Sequence, residues 1–255
     1  SLKLILSDFK VLIGDNMKTS VDVKLKEYDL KLLEKEYDRI SIFVEDTKKL
    51  DRICNSVNKL TNGTILKAIS SKEFEKKSCG DVLTISFPSA LRAKYVDIVK
   101  WSKSGKPIDA RKAGVNLAKK SNKNDILMCV GIQKFSDELI KGYLLRRYEF
   151  SDYKASDDKC MGSVTMMLKH PKEFEKSLSE TKAIVDGVFF TRNLINEPAN
   201  ILNTVEFSIR LKELSALGVD VEILEEKKLA ELGMNALIGV GQGSANPSKV
   251  VVMSW

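Results

Sequence analysis

The sequence predicts an α/β protein, with an N-terminal α/β domain over residues 1–170, a long linker helix over residues 171–195 and a further α/β segment over residues 196–255. Two observations predict this class. Short apolar runs alternate with helical patterns along the first part of the chain, which favours layers of strands and helices. After Pro171 one helical pattern continues without interruption, and at about 1.5 Å per residue it is long enough to run from one domain to another.

The strands of the first domain are predicted from short apolar runs bounded by polar or turn-forming residues. These runs are Ile40–Val44, Val82–Phe87, Tyr95–Val99, Ile126–Val130 and Gly162–Leu168. The run Ile126–Val130 is apolar without alternation, as expected for a strand that is covered on both faces of a sheet.

Three helices are predicted between these strands. Leu50–Leu60 carries apolar residues at helical spacing. Asp109 is expected to cap a helix whose inner face runs from Ala110 to Leu117, because a short acidic side chain can accept hydrogen bonds from first-turn N–H groups. Leu139–Leu144 forms another apolar stripe.

The linker helix begins at Pro171, where the missing N–H of proline has no cost. Its predicted inner face consists of Phe174, Leu178, Thr181, Val185, Val188 or Phe189, Arg192 and Ile195. Pro198 ends the helix, because its ring pushes Glu197 out of the helical conformation.

The segment after Pro198 is predicted to continue with a second helix, a strand, a short helix and a last strand. Asn203 can cap the second helix, and Glu206 can reach back to the N–H of Asn203, as in a capping box. The strands are Val219–Leu224 and Val250–Met253, and the short helix is Glu225–Leu232.

Composition indicates a globular protein of the cytoplasm. Hydrophobic residues make up 43% and charged residues 30%, and the apolar core of Ser1–Asp8 is too short for a signal peptide. The four cysteines, at positions 54, 79, 129 and 160, are far apart. We interpret them as free thiols in a reducing compartment.

The positive charge is concentrated in the first domain. Residues 1–170 hold 33 Lys and Arg against 23 Asp and Glu, and residues 171–255 hold 9 against 12. Such asymmetry can mark a nucleic-acid-binding face. The alternative is a lysine-rich, solvated surface, which is favoured because few aromatic residues lie between the basic ones.

The residues that could bind a metal or a phosphate favour structural roles. His170, the single histidine, has no Cys or His at ligand spacing and is expected at the beginning of a helix. The pairs Glu173/Glu175 and Glu225/Glu226 are predicted in first helical turns, where they oppose the helix dipole. Gly239, Gly241 and Gly243 are predicted to form a tight loop, since no Lys follows them as in a phosphate-binding loop.

Asn196-Glu197-Pro198-Ala199-Asn200 allows two interpretations. Short amide side chains can satisfy the unpaired backbone groups where one helix ends and the next begins. The same turn could instead border a substrate cleft and contact the substrate.

Several motifs in order resemble the leucyl aminopeptidase, or cytosol aminopeptidase, family. The resemblance is dense from Thr191 to Trp255, where Thr191–Asn200, Leu232–Leu237 and Gly239–Ser244 match family patterns. Asp109–Gly114 and Tyr148–Lys154 match more sparsely. The resemblance implies a macro-domain-like N-terminal domain and, over residues 196–255, the beginning of the catalytic domain.

The resemblance implies a hydrolase that removes N-terminal residues from peptides with two adjacent divalent ions, manganese or zinc. Its ligands (a Lys, several Asp and a Glu) belong to a pattern that no position here matches, so no catalytic, cofactor-binding or metal-binding residue is assigned. We therefore expect the 255-residue chain to be inactive by itself.

The family also implies a homohexamer. A DNA-binding or assembly role of the basic first domain is the alternative function.

Overall fold

The computed structural model describes residues 21–45, 49–150, 153 and 162–255. The described residues form two compact units, the first over residues 21–186 and the second over residues 187–255. Each unit has a β-sheet of its own.

A six-stranded sheet forms the centre of the first unit. Its strands are β1 (Val23–Glu27), β2 (Arg39–Val44), β3 (Val82–Ser86), β4 (Tyr95–Lys100), β5 (Ile126–Gly131) and β6 (Val164–Leu168). Their order is β1-β6-β5-β2-β4-β3. All neighbouring strands are parallel except β3, which pairs antiparallel with β4 at one edge. The predicted α/β class is confirmed.

Helices connect these strands. They are α1 (Arg52–Leu60), α2 (Thr64–Ile69), α3 (Lys72–Glu75), α4 (Pro107–Ser121) and α5 (Ser136–Arg146), preceded by a 3-10 helix over Leu30–Glu34. Residues of α1, α2 and α3 share one buried apolar cluster with Ile40, Ile42 and Val44 of β2. The buried residues Ala110, Ala113 and Leu117 of α4 are not part of that cluster.

The predicted strands of this unit are all present, with shifts of one or two residues at their ends. Sequence reasoning missed β1, the 3-10 helix, α2 and α3, which are short and carry weak periodicity. The prediction that Asp109 caps a helix is wrong. Helix α4 begins at Pro107, and the Asp109 carboxylate accepts a hydrogen bond (2.8 Å) from the backbone N–H of Lys106, which precedes the helix.

The long helix α6 spans Pro171–Asn196, close to the predicted range. Leu178, Thr181, Val185 and Phe189 are buried at spacings of three and four residues, as predicted. Arg192 and Ile195, predicted on the same inner face, are exposed instead, with Ile195 at 76%. The division into two units falls inside this helix, between Asp186 and Gly187.

The second unit contains the end of α6 and a small α/β arrangement. Its elements are α7 (Thr204–Lys212), a 3-10 helix (Glu213–Leu217), β7 (Asp220–Glu225), α8 (Glu226–Glu231), α9 (Asn235–Gly241) and β8 (Lys249–Ser254). Strands β7 and β8 form an antiparallel two-stranded sheet. Val221 and Leu229 are the most deeply buried apolar side chains of these later elements.

The glycine segment differs from the predicted loop. Gly239 and Gly241 lie inside α9, and Gly243 follows in a turn. A Cβ on Gly241 would lie 2.0 Å from Ser248 Oγ, so this glycine permits a close approach to the segment before β8. A Cβ on Gly239 would have no neighbour within 4 Å, so no close contact requires a glycine at this position.

Some of the sequence motifs fall outside the described residues, namely the Ser1–Asp8 segment, Cys160 and Ser151, Asp152 and Lys154 of the Tyr148–Lys154 motif. Cys54, Cys79 and Cys129 are free thiols, as predicted. None of the helices in the described part of the chain is long and apolar enough to cross a membrane.

Candidate functional site

The turn between α6 and α7 contains the amide and proline residues that the sequence singled out. Pro198 is followed by a reversal in which its carbonyl accepts hydrogen bonds from the N–H groups of Ile201 and Leu202, both at 2.9 Å. The N–H of Asn203 then donates to the carbonyl of Ile201 at 3.1 Å. These bonds satisfy backbone groups that neither helix can pair.

Helix α7 begins with the predicted cap. Asn203 Oδ1 accepts hydrogen bonds from the N–H groups of Val205 and Glu206, each at 3.0 Å. The expected return contact of a capping box is not the one that forms. Glu206 Oε1 accepts from Arg210 Nε at 2.9 Å, one helical turn along, so its carboxylate serves an ion pair.

Arg210 joins α7 to the end of α6. Its Nη1 donates a hydrogen bond to Glu197 Oε1 at 2.9 Å, and its Nε donates one to Glu206 Oε1. The Glu197 side chain is only 7% exposed. Burial lowers the pKa of Arg210, but the hydrogen bonds to the two carboxylates outweigh it and raise that pKa. The guanidinium therefore stays charged and fixes Glu197 beside the proline.

Sequence reasoning missed this contact. The spacing of Glu206 and Arg210 is the i, i+4 signal of a helical ion pair and could have been found. The contact between Glu197 and Arg210 could not, because it depends on how the turn redirects the chain. The observed bonds give Pro198 and Glu197 of the Asn196–Asn200 motif a structural role, while the two interpretations of its amide side chains remain predictions.

The other residues singled out from the sequence are distributed over the chain. His170 is exposed just before α6, and its Nδ1 lies 3.9 Å from Glu173 Oε1. Glu173 lies in the first turn of α6, as predicted, whereas Glu175 lies beyond it.

Glu226 and Glu225 have different roles. Glu226 begins α8 and accepts a hydrogen bond from the N–H of Ser248 at 2.7 Å. Glu225 is not in a helical turn. It ends β7, where both its carboxylate oxygens lie 2.6 Å from Lys249 Nζ on the paired strand.

The described residues do not fit a two-metal centre. Within the described ranges, no three His, Cys, Asp or Glu side chains are grouped so that they could hold a metal ion.

Comparison with known proteins links the second unit to a family. The sequence pattern of the "Cytosol aminopeptidase family, catalytic domain" matches residues 189–255. Two relatives described as "Probable cytosol aminopeptidase" match most of the chain. The protein of Dinoroseobacter shibae is 39% identical over 228 residues, which is 89% of this chain and 46% of the relative. That of Cereibacter sphaeroides is 36% identical over 235 residues, 92% of this chain and 48% of the relative.

Solved structures share the fold. A mutant of tomato leucine aminopeptidase superposes with a TM-score of 0.74 at 17% identity, covering 94% of this chain and 52% of that one. The bottromycin maturation enzyme BotP, in complex with Mn, gives a TM-score of 0.63 at 18% identity, covering 86% and 45%. The chain thus spans about half the length of the curated relatives it matches. With the same motifs, the same fold and these relatives, the chain belongs to the cytosol aminopeptidase family.

Proposed function

We propose that this chain is part of a metal-dependent leucyl aminopeptidase, a hydrolase that removes N-terminal residues from peptides. The observation that carries the proposal is the 39% identity to the Dinoroseobacter shibae relative across 89% of the chain. The family match over residues 189–255 supports it, because that match is to the catalytic domain.

The proposal divides the enzyme into parts. The first unit, residues 21–186, is a supporting α/β domain, and the second unit, residues 187–255, contributes to the catalytic domain. The catalytic residues and the ligands of two divalent ions, manganese or zinc, lie in the part of the relatives that this chain does not match. The relatives' name supports action in the cytoplasm, and we propose that the complete enzyme is a homohexamer.

Strand β8 is the element through which the second unit would join that remaining part. In the described residues β8 pairs with β7 along one edge. Its residues from Val250 to Met253 are apolar in succession, and Val252 and Met253 are 43% and 50% exposed. An uninterrupted apolar strand is typical of the interior of a sheet covered on both faces. We propose that further strands pair with the second edge of β8.

The DNA-binding alternative gains no support from these relatives. Several of the basic residues of the first unit are paired with acids, as in Lys94 with Asp38 at 2.7 Å and Lys112 with Asp81 at 2.9 Å. We do not propose this function.

The test is hydrolysis of leucyl p-nitroanilide in the presence of Mn²⁺ or Zn²⁺. Residues 1–255 alone are expected to release no product. A chimera that continues from Trp255 into the remaining part of the Dinoroseobacter shibae relative is expected to release it, and a chelator should stop the reaction.

The control is the relative's remaining part expressed alone, which should be inactive because its supporting domain and β8 are missing. Metal-dependent release by residues 1–255 alone would contradict the division of roles. A folded chimera without activity would contradict the proposed function.

A further inference from the structure

Strand β3 forms one edge of the six-stranded sheet. In the part of the chain that the structure describes, β3 pairs with β4 and with no other strand. The N–H of Lys100 donates to the carbonyl of Asp81 at 2.9 Å, and the N–H of Phe87 donates to the carbonyl of Lys94 at 2.7 Å. Because alternate residues of an antiparallel strand bond to the same neighbour, the backbone groups of residues 82, 84 and 86 point away from β4. These N–H and C=O groups form the free edge of β3.

Strand β3 lacks the features that usually keep an edge strand from pairing. Its sequence is Val-Leu-Thr-Ile-Ser, without a charged residue or a proline, and it pairs with β4 without a register shift. None of its side chains is buried, and Ser86 is exposed. Natural edges usually carry charges, prolines or bulges, because unpaired backbone groups bind other strands. The opposite edge of this sheet is charged, since β1 contains Lys24, Lys26 and Glu27. The contrast within one sheet indicates that β3 is suited to pairing.

The sequence of β3 is complementary to itself in one antiparallel register. When Thr84 lies opposite Thr84 of a second copy, residues 82 and 86 form the flanking hydrogen-bonded pairs. Leu83 then lies opposite Ile85 of the second copy, and threonine lies opposite threonine. Apolar pairs and threonine pairs of this kind stabilise a sheet. Leu83 and Ile85 also pack against the buried apolar cluster beside β2, so the pairing extends that apolar surface from one copy to the other.

The neighbouring registers fit less well. A shift of one step in one direction places the Asp81 carboxylate opposite the apolar side chain of Ile85. A shift in the other direction brings Pro88, which has no N–H, into the paired segment. The register centred on Thr84 keeps both residues outside the paired strands.

We propose that two copies of this chain associate through β3, antiparallel about a two-fold axis at Thr84, so that their sheets become one. Such a contact is isologous, because both copies contribute the same surface. A second copy is favoured over an unrelated extended peptide, because β3 itself supplies the matching apolar and threonine pairs. The contact is separate from the one proposed for β8 and does not depend on the proposed peptidase function.

Ser86→Pro tests the contact, because Ser86 is exposed and its N–H belongs to the free edge. Proline removes this donor from both copies and leaves the bonds between β3 and β4 in place. Sedimentation equilibrium over a series of concentrations should show a monomer–dimer equilibrium for the 255-residue chain. The dimer of the proline variant should be at least about tenfold weaker. Ser86→Ala is the matched control, since it keeps the N–H and should dimerise as the unchanged chain does.

Hydrogen exchange measured by NMR locates the contact without any substitution. The amides of Val82, Thr84 and Ser86 should exchange at least about tenfold more slowly as the concentration of the unchanged chain rises through the range in which it dimerises. The amides of β1, at the opposite edge, should exchange at the same rate throughout. This measurement decides the matter if circular dichroism shows that the proline variant does not fold.

Three results would overturn the proposal. The first is a chain that stays monomeric over the whole concentration series. The second is a folded Ser86→Pro variant that dimerises as tightly as the alanine variant. The third is a dimer in which the three amides of the free edge exchange as fast as in the monomer, because association then uses another surface.

Discussion

At the scale of single residues, Arg210 has the clearest role in the second unit. Arg210→Ala would remove the guanidinium that is bonded to the Glu197 carboxylate, whose side chain is 7% exposed. Arg210 itself is 24% exposed, so the loss is smaller than for a fully buried pair, roughly 2 kcal/mol of unfolding free energy. Urea unfolding measures it. The control is Lys228→Ala, which breaks an ion pair with Glu231 in which both side chains are 53% exposed. This substitution should lower the free energy of unfolding by less than about 0.5 kcal/mol. Equal costs would contradict the role of Arg210.

Glu213 predicts a pH dependence in the same unit. Burial raises its pKa above 4.5, nearby Glu206 adds to this and Arg210 opposes it. The folded state then binds the proton more tightly than the unfolded state, so Glu213 lowers stability as pH rises through that raised pKa. Glu213→Gln should therefore raise the urea midpoint at pH 7, and this gain should disappear below about pH 4. A gain that is the same at both pH values would refute the titration of Glu213 as its cause.

Asn62 holds a left-handed conformation at the end of α1, with φ of 50°. The N–H of Gly63 donates to the carbonyl of Asn58 at 2.8 Å and that of Asn62 to the carbonyl of Lys59 at 3.2 Å, the pair of bonds that ends a helix in the Schellman motif. Asn62→Ala should lower the free energy of unfolding by about 1 kcal/mol, because alanine lacks the short polar side chain that lets asparagine adopt the left-handed conformation. Asn62→Gly should keep or raise the stability. Thermal unfolding of both variants checks this, and an alanine variant as stable as the glycine one would show that no strain is present.

At the scale of elements, α4 and α5 approach each other through two glycines. A Cβ on Gly114 would lie 1.9 Å from the carbonyl oxygen of Leu139, and one on Gly142 would lie 2.1 Å from that of Arg111. Both neighbours are backbone atoms inside helices and cannot turn aside. Gly114→Ala and Gly142→Ala should each lower the free energy of unfolding by about 3 kcal/mol. Urea unfolding measures this loss.

Gly187 provides the matched control, because it also lies inside a helix but has no neighbour within 4 Å of a Cβ. Gly187→Ala should raise the free energy of unfolding by about 0.5–1 kcal/mol, since alanine favours a helix more than glycine does. Equal effects at Gly114 and Gly187 would show that helix propensity, rather than the contact, decides the outcome.

The elements also show what can be predicted from the sequence. The buried strands β2, β4 and β5 and the helix from Pro171 are predictable because burial leaves long apolar runs or stripes. Strand β1 has mixed charged and apolar residues. Helix α9 begins without a side-chain cap and contains two glycines, so its sequence resembles a loop.

At the scale of the whole molecule, the family can be identified from ordered motifs, whereas the contacts of the candidate site cannot. The Asn203 cap is local, and its prediction is confirmed. The link from Arg210 to Glu197, which are 13 residues apart, depends on how the turn redirects the chain, so it follows only from the folded structure. The division of the protein into domains over residues 1–170, 171–195 and 196–255 remains a proposal.

The central claim is that the second unit is part of a larger catalytic sheet joined through β8. Hydrogen exchange of the β8 amides, followed by mass spectrometry, tests it most directly in the 255-residue chain and in the chimera with the Dinoroseobacter shibae relative. The amides of β8 that do not bond to β7 should exchange rapidly in the chain alone and at least about a hundredfold more slowly in the chimera. Equal exchange in both proteins, with the chimera folded, would contradict the claim.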